Sequence, residues 1–246
     1  PLVSSFLTRV RFSLSTTPRT DLDGTLYAIE NGYEDACRAR VFSFMVDELG
    51  FENADAAKNA WRPQFAKYNQ TLKALRSGLG LEFDTETYWT RTRGDPSVFL
   101  TPNAEAREAL RGADAVSSKK LKKLKKYVLT NCAEKQAREA LAALGLQDAF
   151  DGVFGADAMG DSCKPELEAF RAVQQAVGID FARTAFFEDS VKNLAAAKAL
   201  GMTTVLVASA TAREEGTRSD GFEPDHVVAA VTPAEMARVL PGVFLG

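Results

Sequence analysis

Histidine is nearly missing. His226 is the only one in 246 residues, which excludes mechanisms and metal sites that need two or more imidazoles. Cysteine is scarce as well: Cys37, Cys132 and Cys163 form an odd set with no CxxC spacing. Free thiols in a reducing compartment are therefore expected, rather than a disulfide framework or a thiolate zinc site. No apolar run approaches the ~20 residues that cross a bilayer as a helix, so an integral membrane protein is not expected. Excess charge of either sign is lacking too. Thirty Lys+Arg against 33 Asp+Glu leave a net charge of -3, which offers no global attraction for a nucleic-acid backbone. Any anion has to be bound locally.

What is present is ordinary globular composition. Hydrophobic residues at 46% and charged residues at 26% point to a folded, soluble chain rather than a disordered or fibrous one. The length lies near the ~250 residues at which single cores stop growing, so one large domain or a domain with an insertion is expected. Residues 1–20 carry Arg9, Arg11 and Arg19, many Ser and Thr, and no acid. That composition suits an organellar transit segment, and equally an irregular extension or a disturbed first strand. A cytoplasmic place is the default expectation, a plastid or mitochondrial one the alternative.

From Tyr127 onward, short apolar runs alternate with helical periodicity. Tyr127–Thr130 reads as a strand, followed by a helix over 133–144 that ends at Gly145. Gly152–Phe154 precedes a helix that starts near Pro165 and stops before Gly178. Thr184–Phe187 precedes a helix that stops at Gly201, Thr203–Val207 is another strand, and 226–231 is a last one. Thr232-Pro233-Ala234-Glu235 has capping-box spacing and opens the final helix. Alternation of this kind implies an α/β fold, a Rossmann-like parallel sheet covered by helices on both faces. Ligands then sit beyond the carboxyl ends of the strands. Residues 28–100 read differently, with long helical patterns over 36–49 and 54–75. They are expected to form a helical cap inserted into a core of residues 21–27 and 101–246.

The chemistry gathers at strand ends. Asp21 and Asp23 are two apart, so extended backbone would point them to opposite faces, and a turn at Gly24 is required to redirect them. Asp21 then suits attack on phosphorus, while Asp23 protonates the leaving group and later activates water. Thr130-Asn131 closes a strand and opens a helix, with Glu134 three residues beyond, so backbone N–H groups and the Thr130 hydroxyl suit an anion. Lys164 precedes Pro165, which fits a first helical turn. An ammonium beside a helix N-terminus is unfavourable unless an anion sits there too. Glu188-Asp189-Ser190 follows an apolar run, with Asn193 one turn on. Magnesium prefers oxygen ligands, and Asp21, Asp189 and a carbonyl near Asp23 would supply them without histidine.

Taken in order, Asp21-Leu22-Asp23-Gly24-Thr25, Thr130-Asn131, Lys164-Pro165 and Glu188-Asp189-Ser190 with Asn193 resemble the four motifs of the haloacid dehalogenase (HAD) superfamily. The span from Tyr68 to Leu75 with Glu82-Phe83-Asp84 looks like its pyrimidine 5'-nucleotidase branch. The resemblance implies an aspartyl-phosphate on Asp21, acid/base work by Asp23 and phosphate contacts from Thr130, Asn131 and Lys164. It also implies Mg2+ held by Asp21, Asp23 and Asp189, with Glu188, Ser190 and Asn193 in support. The implied partner is a small phosphorylated metabolite, with neither nucleic acid nor membrane. Relatives carry a buried apolar strand into the first aspartate, whereas Ser15 to Thr20 precedes it here. Pro18 removes a ladder donor and Arg19 would bury a charge, so this is expected to be a poor central strand. A catalytically inactive homologue that acts by binding is the competing class.

Three other features compete. Cys132 and Arg138 have the Cys-x5-Arg spacing of cysteine phosphatases, but the residues between them are helix-forming and include Glu134 where an anion would sit. The run Lys119 to Lys126 could be a nuclear address or RNA contact, yet Leu121 and Leu124 suit an amphipathic helix leading into Tyr127. Trp61, Phe65, Tyr68, Tyr88 and Trp89 could stack on a nucleobase, although aromatic residues at helical spacing are more often core.

Overall fold

The short apolar runs become strands of one sheet in a computed structural model that describes residues 17–117, 124–208 and 221–241. The strands are β1 (Thr17–Thr20), β2 (Tyr127–Leu129), β3 (Gly152–Phe154), β4 (Thr184–Glu188), β5 (Thr203–Val207) and β6 (His226–Val228). All five pairings are parallel, in the order β3-β2-β1-β4-β5-β6. Alternation of side chains along each strand divides the interior in two. Val128, Ala185, Phe187, Val205 and Val207 face a cluster with Leu22, Ala109, Leu141 and Met236. Leu129, Phe186 and Leu206 face another with Phe170, Val173 and Leu194. Helices α5 (Ala104–Ser117), α6 (Glu134–Ala143) and α10 (Pro233–Val239) thus cover one face, and the short α7 (Ala156–Met159), α8 (Leu167–Val177) and α9 (Val191–Ala199) the other. The expected Rossmann-like α/β architecture is the observed one.

The first strand departs from expectation. Despite Pro18 and Arg19, β1 lies in the middle of the sheet, with Arg19 opposite Tyr127 on one side and Phe186 on the other. The residues just beyond β1 anchor it: the Asp21 N–H donates to the Phe187 carbonyl at 2.9 Å, and Leu22 and Leu26 are fully buried. Residues 1–16, including most of the transit-like stretch, lie outside the described residues.

Between β1 and β2 the described chain is helical: α1 (Tyr33–Asp47), α2 (Ala54–Tyr68), a short α3 (Thr71–Lys73) that runs into a π turn at Ala74–Gly78, and α4 (Thr85–Arg93). The single long helix expected over 54–75 is broken at Asn69, which adopts φ 55°. Hydrogen bonds from the Asn69 amide to Asn193 and Ser190 outweigh local helix periodicity there. Trp61, Tyr88 and Trp89 are buried with Phe44 and Leu75 in this segment's own core, and Trp61 stacks on Phe65 at 4.7 Å. Packing, rather than a stacking platform, accounts for them.

The amphipathic helix expected over the lysine run is not found in its described part. Leu124 to Lys126 are irregular, Lys125 pairs with Asp151 at 2.7 Å, and the buried Lys126 donates to the Leu110 carbonyl at 2.9 Å. Lys119 to Lys123 lie outside the described residues. Among the described residues no helix is long and apolar enough to cross a membrane.

Candidate active site

Directly after β1 the chain turns, with Leu26 N–H donating to the Leu22 carbonyl at 3.0 Å. Gly24 takes φ 73°, and a Cβ there would run into the Asp189 carboxylate, so glycine is needed twice over, for conformation and for space. The turn separates the two aspartates as the spacing requires. Asp21 points to the buried Lys164 ammonium at 2.8 Å. Asp23 points to Arg93 at 2.8 Å and to the Tyr27 hydroxyl.

Lys164 does not lie in a first helical turn. Its bond to Pro165 is cis, Glu166 caps the helix in an extended conformation, and α8 begins only at Leu167. The ammonium is held by two carboxylates instead, Asp21 and, at 2.7 Å, Glu188. Burial alone would push Lys164 down, but these two acids outweigh it and hold it above its usual value. Glu188 is fixed in turn by the Ser190 N–H at 3.1 Å and the Asn193 amide at 3.0 Å. Ser190 and Asn193 therefore orient the acidic loop.

Thr130 and Asn131 stand beside this cluster without capping α6, whose N-cap is Ala133 and whose first N–H goes to Asp157. The Thr130 hydroxyl accepts from the Cys132 N–H at 3.1 Å, which leaves its own proton available. The Asn131 amide is already engaged, donating to the Asn69 and Lys164 carbonyls and accepting the Lys164 N–H at 2.8 Å. An anion would meet the backbone here rather than that side chain.

Asp21, Glu188 and Asp189 bring carboxylate oxygens within 4.8 Å of one another. Burial, reinforced by the neighbouring acids, pushes Asp21 well above the usual carboxylate range and Glu188 up to about 7, with Lys164 opposing. Burial likewise pushes Asp189 up to about 6. Three crowded acids against one ammonium leave uncompensated negative charge, and their donors are all hard oxygens. The site fits a divalent hard cation. The Asp23 carboxylate is not part of this group, so any share it has in a metal site would come through its backbone carbonyl.

Several residues here were given no role by the sequence. Asn69 spans the site, donating to the Asn193 side chain at 3.2 Å and the Ser190 hydroxyl at 3.5 Å. Gln70 donates to the Asn131 carbonyl at 2.9 Å. Arg93, Glu34 and Tyr27 surround Asp23. Tyr27 lies just beyond the Asp21–Thr25 motif and Asn69 and Gln70 fall in the Tyr68–Leu75 span, yet no local periodicity gives any of the five a place in the site. Cys132, by contrast, is buried, burial pushes its thiol up, and Arg138 pairs with Glu134 at 2.8 Å on the exposed face of α6. No cysteine-phosphatase loop exists there.

A parallel α/β sheet whose strand ends gather a buried lysine, three acids and a second aspartate on a glycine turn defines a hydrolase-like α/β protein. The model of the haloacid dehalogenase-like hydrolases matches residues 20–201, and the chain belongs to that family. Phosphate metabolism protein 8 of Saccharomyces cerevisiae is 27% identical over 197 residues, 76% of this chain and 59% of that protein. The chain thus spans less than two thirds of that relative's length. A HAD phosphatase from Thermococcus onnurineus shares the fold at TM-score 0.61 and 20% identity, covering 92% of this chain and 98% of that one. The L-2-haloacid dehalogenase of Xanthobacter autotrophicus does so at TM-score 0.57 and 20% identity, over 92% and 99%. A HAD hydrolase of Bacillus subtilis, bound to magnesium, does so at 0.58 and 15%, over 92% and 98%.

Proposed function

We propose that the chain is a magnesium-dependent phosphomonoesterase acting on a small phosphorylated metabolite, a nucleoside 5'-monophosphate being the first candidate. The observation that carries this reading is Asp23. Halide departs from carbon without a proton, whereas the alkoxide of a phosphate ester needs one, and Asp23 stands one turn from Asp21 as a second carboxylate free of the metal-fitting group. The name of the yeast relative points the same way.

In this reading an Asp21 oxygen forms a bond to phosphorus as the ester P–O bond breaks, and Asp23 gives its proton to the departing oxygen. Asp23 then takes a proton from water, whose oxygen attacks the phosphorus of the aspartyl-phosphate and releases phosphate and free Asp21. Lys164 and the backbone after Thr130 hold the phosphoryl oxygens. Asp21, Asp189 and the Asp23 carbonyl would hold Mg2+, which supplies charge neutralisation between carboxylate and phosphate when bound. The helical segment 28–100 serves as a cap that selects the leaving group, its contacts running through Asn69, Gln70 and Arg93.

A screen of phosphomonoesters with UMP, CMP and phosphosugars tests this, with Asp21→Asn and a chelator as controls. Wild type is expected to release phosphate, and Asp21→Asn to lose at least about 1000-fold in rate. Activity that survives Asp21→Asn sinks the nucleophile, and chelator resistance sinks the metal. An inert wild type favours a binding homologue.

A further inference from the structure

Asp23 is gripped from one side only. Its Oδ1 accepts from Arg93 Nη2 at 2.8 Å and from the Tyr27 hydroxyl, while Oδ2 makes no hydrogen bond among the described residues. Arg93 comes from the last turn of α4, 70 positions along the chain from Asp23, and its other nitrogen Nη1 reaches Glu34 at 3.3 Å in the first turn of α1. Glu34 is also 3.0 Å from the Tyr27 hydroxyl, so the four side chains close a ring. The Arg93 side chain is only 8% exposed and lies over the Tyr33 ring at 4.9 Å. Its carbonyl is held by Cys37 Sγ and Arg40, which fixes the end of α4 against α1. A planar guanidinium held at both terminal nitrogens has little rotational freedom, so it fixes where Oδ1 sits rather than merely offering charge.

We propose that Arg93 is a positioning residue for Asp23: by holding Oδ1 it presents Oδ2 to the leaving-group oxygen, so the helical segment governs the proton transfer. This rests on the phosphomonoesterase reading of the site. A positioning role of this kind matters in proportion to how much the leaving group needs a proton. A p-nitrophenolate departs well without one, whereas an alkoxide does not.

The test is single-turnover release of the leaving group from p-nitrophenyl phosphate and from two alkyl phosphates, UMP and glycerol 2-phosphate. Wild type, Arg93→Met, Arg93→Lys and Tyr27→Phe are compared. Arg93→Met is expected to slow alkyl release about 100-fold and p-nitrophenol release less than about 5-fold, with steady-state KM little changed. Arg93→Lys recovers part of the alkyl rate, because a cation remains but the fork does not. Tyr27→Phe, which removes the other Oδ1 donor, shows the same selectivity at smaller size and keeps the test alive if Arg93→Met does not fold. Equal slowing of aryl and alkyl release, or none, overturns the inference while leaving the phosphatase reading intact. A wild type that releases p-nitrophenol but neither alcohol also overturns it. A wild type inert on all three removes the phosphatase reading and this inference with it.

Discussion

Among the described residues two cations are wholly buried, Lys164 and Arg19, and their surroundings differ completely. Lys164 sits between Asp21 and Glu188 at 2.8 and 2.7 Å. Arg19 lies in β1, just before Asp21. None of its three guanidinium nitrogens has a hydrogen-bond partner among the described residues, and the Tyr127 ring lies 5.9 Å away. A buried charge is tolerable when paired and costly when alone. Burial by itself is therefore no sign of function. What sets Lys164 apart is that the two acids holding it form, with Asp189, a group of three carboxylates against one ammonium, so that the site is balanced only when further cationic charge arrives.

The sharpest way to break this comparison is Lys164→Met. It leaves Asp21 and Glu188 buried and unpaired, and the expected loss is about 3–5 kcal/mol in urea unfolding, together with loss of turnover. A variant as stable as wild type would mean the ammonium does not neutralise those acids, and the contrast with Arg19 would collapse.

The opposite sign is expected at the other cation. Arg19→Met keeps a long apolar stem in β1 and removes the unpaired guanidinium, so the same measurement should show a gain of about 2–3 kcal/mol. A loss would show that Arg19 is satisfied in solution by something its static surroundings do not reveal.

These two residues also mark how far the sequence could be read. Glu188 and Asp189 stood out because they close an apolar strand before a helix, Asp21 by its spacing to Asp23 and Gly24, and Lys164 by preceding Pro165, while the carboxyl ends of parallel strands converge. Arg19 was legible as a defect and is indeed buried without a hydrogen-bond partner, yet β1 still pairs on both edges in the middle of the sheet. Propensity weighs four residues, whereas the fold weighs pairing on both edges and the burial of Leu22 and Leu26 just beyond. The Pro165 helix start and the unbroken helix over 54–75 failed for a related reason. Glu166 pairs with Lys73 and Asn69 with Asn193, partners far away in sequence, as Arg93 is from Asp23, and no local period encodes them.

The smallest expected effect separates charge from packing at Arg19. Burial lowers its guanidinium to about 10, well below the free side chain. Between the folded and the free value the unfolded chain binds more protons than the folded one, so the folded state gains stability as pH rises. The penalty is thus fully present below about pH 10 and fades above it, while Arg19→Met carries no such dependence. The advantage of Arg19→Met over wild type should shrink by about 1 kcal/mol between roughly pH 9 and 11. Urea titrations of both proteins across that range measure it as a difference, in which titrations common to the two cancel. A gap that stays constant would assign the cost of Arg19 to its shape rather than its charge, and Lys164 and Arg19 would no longer be two answers to one electrostatic problem.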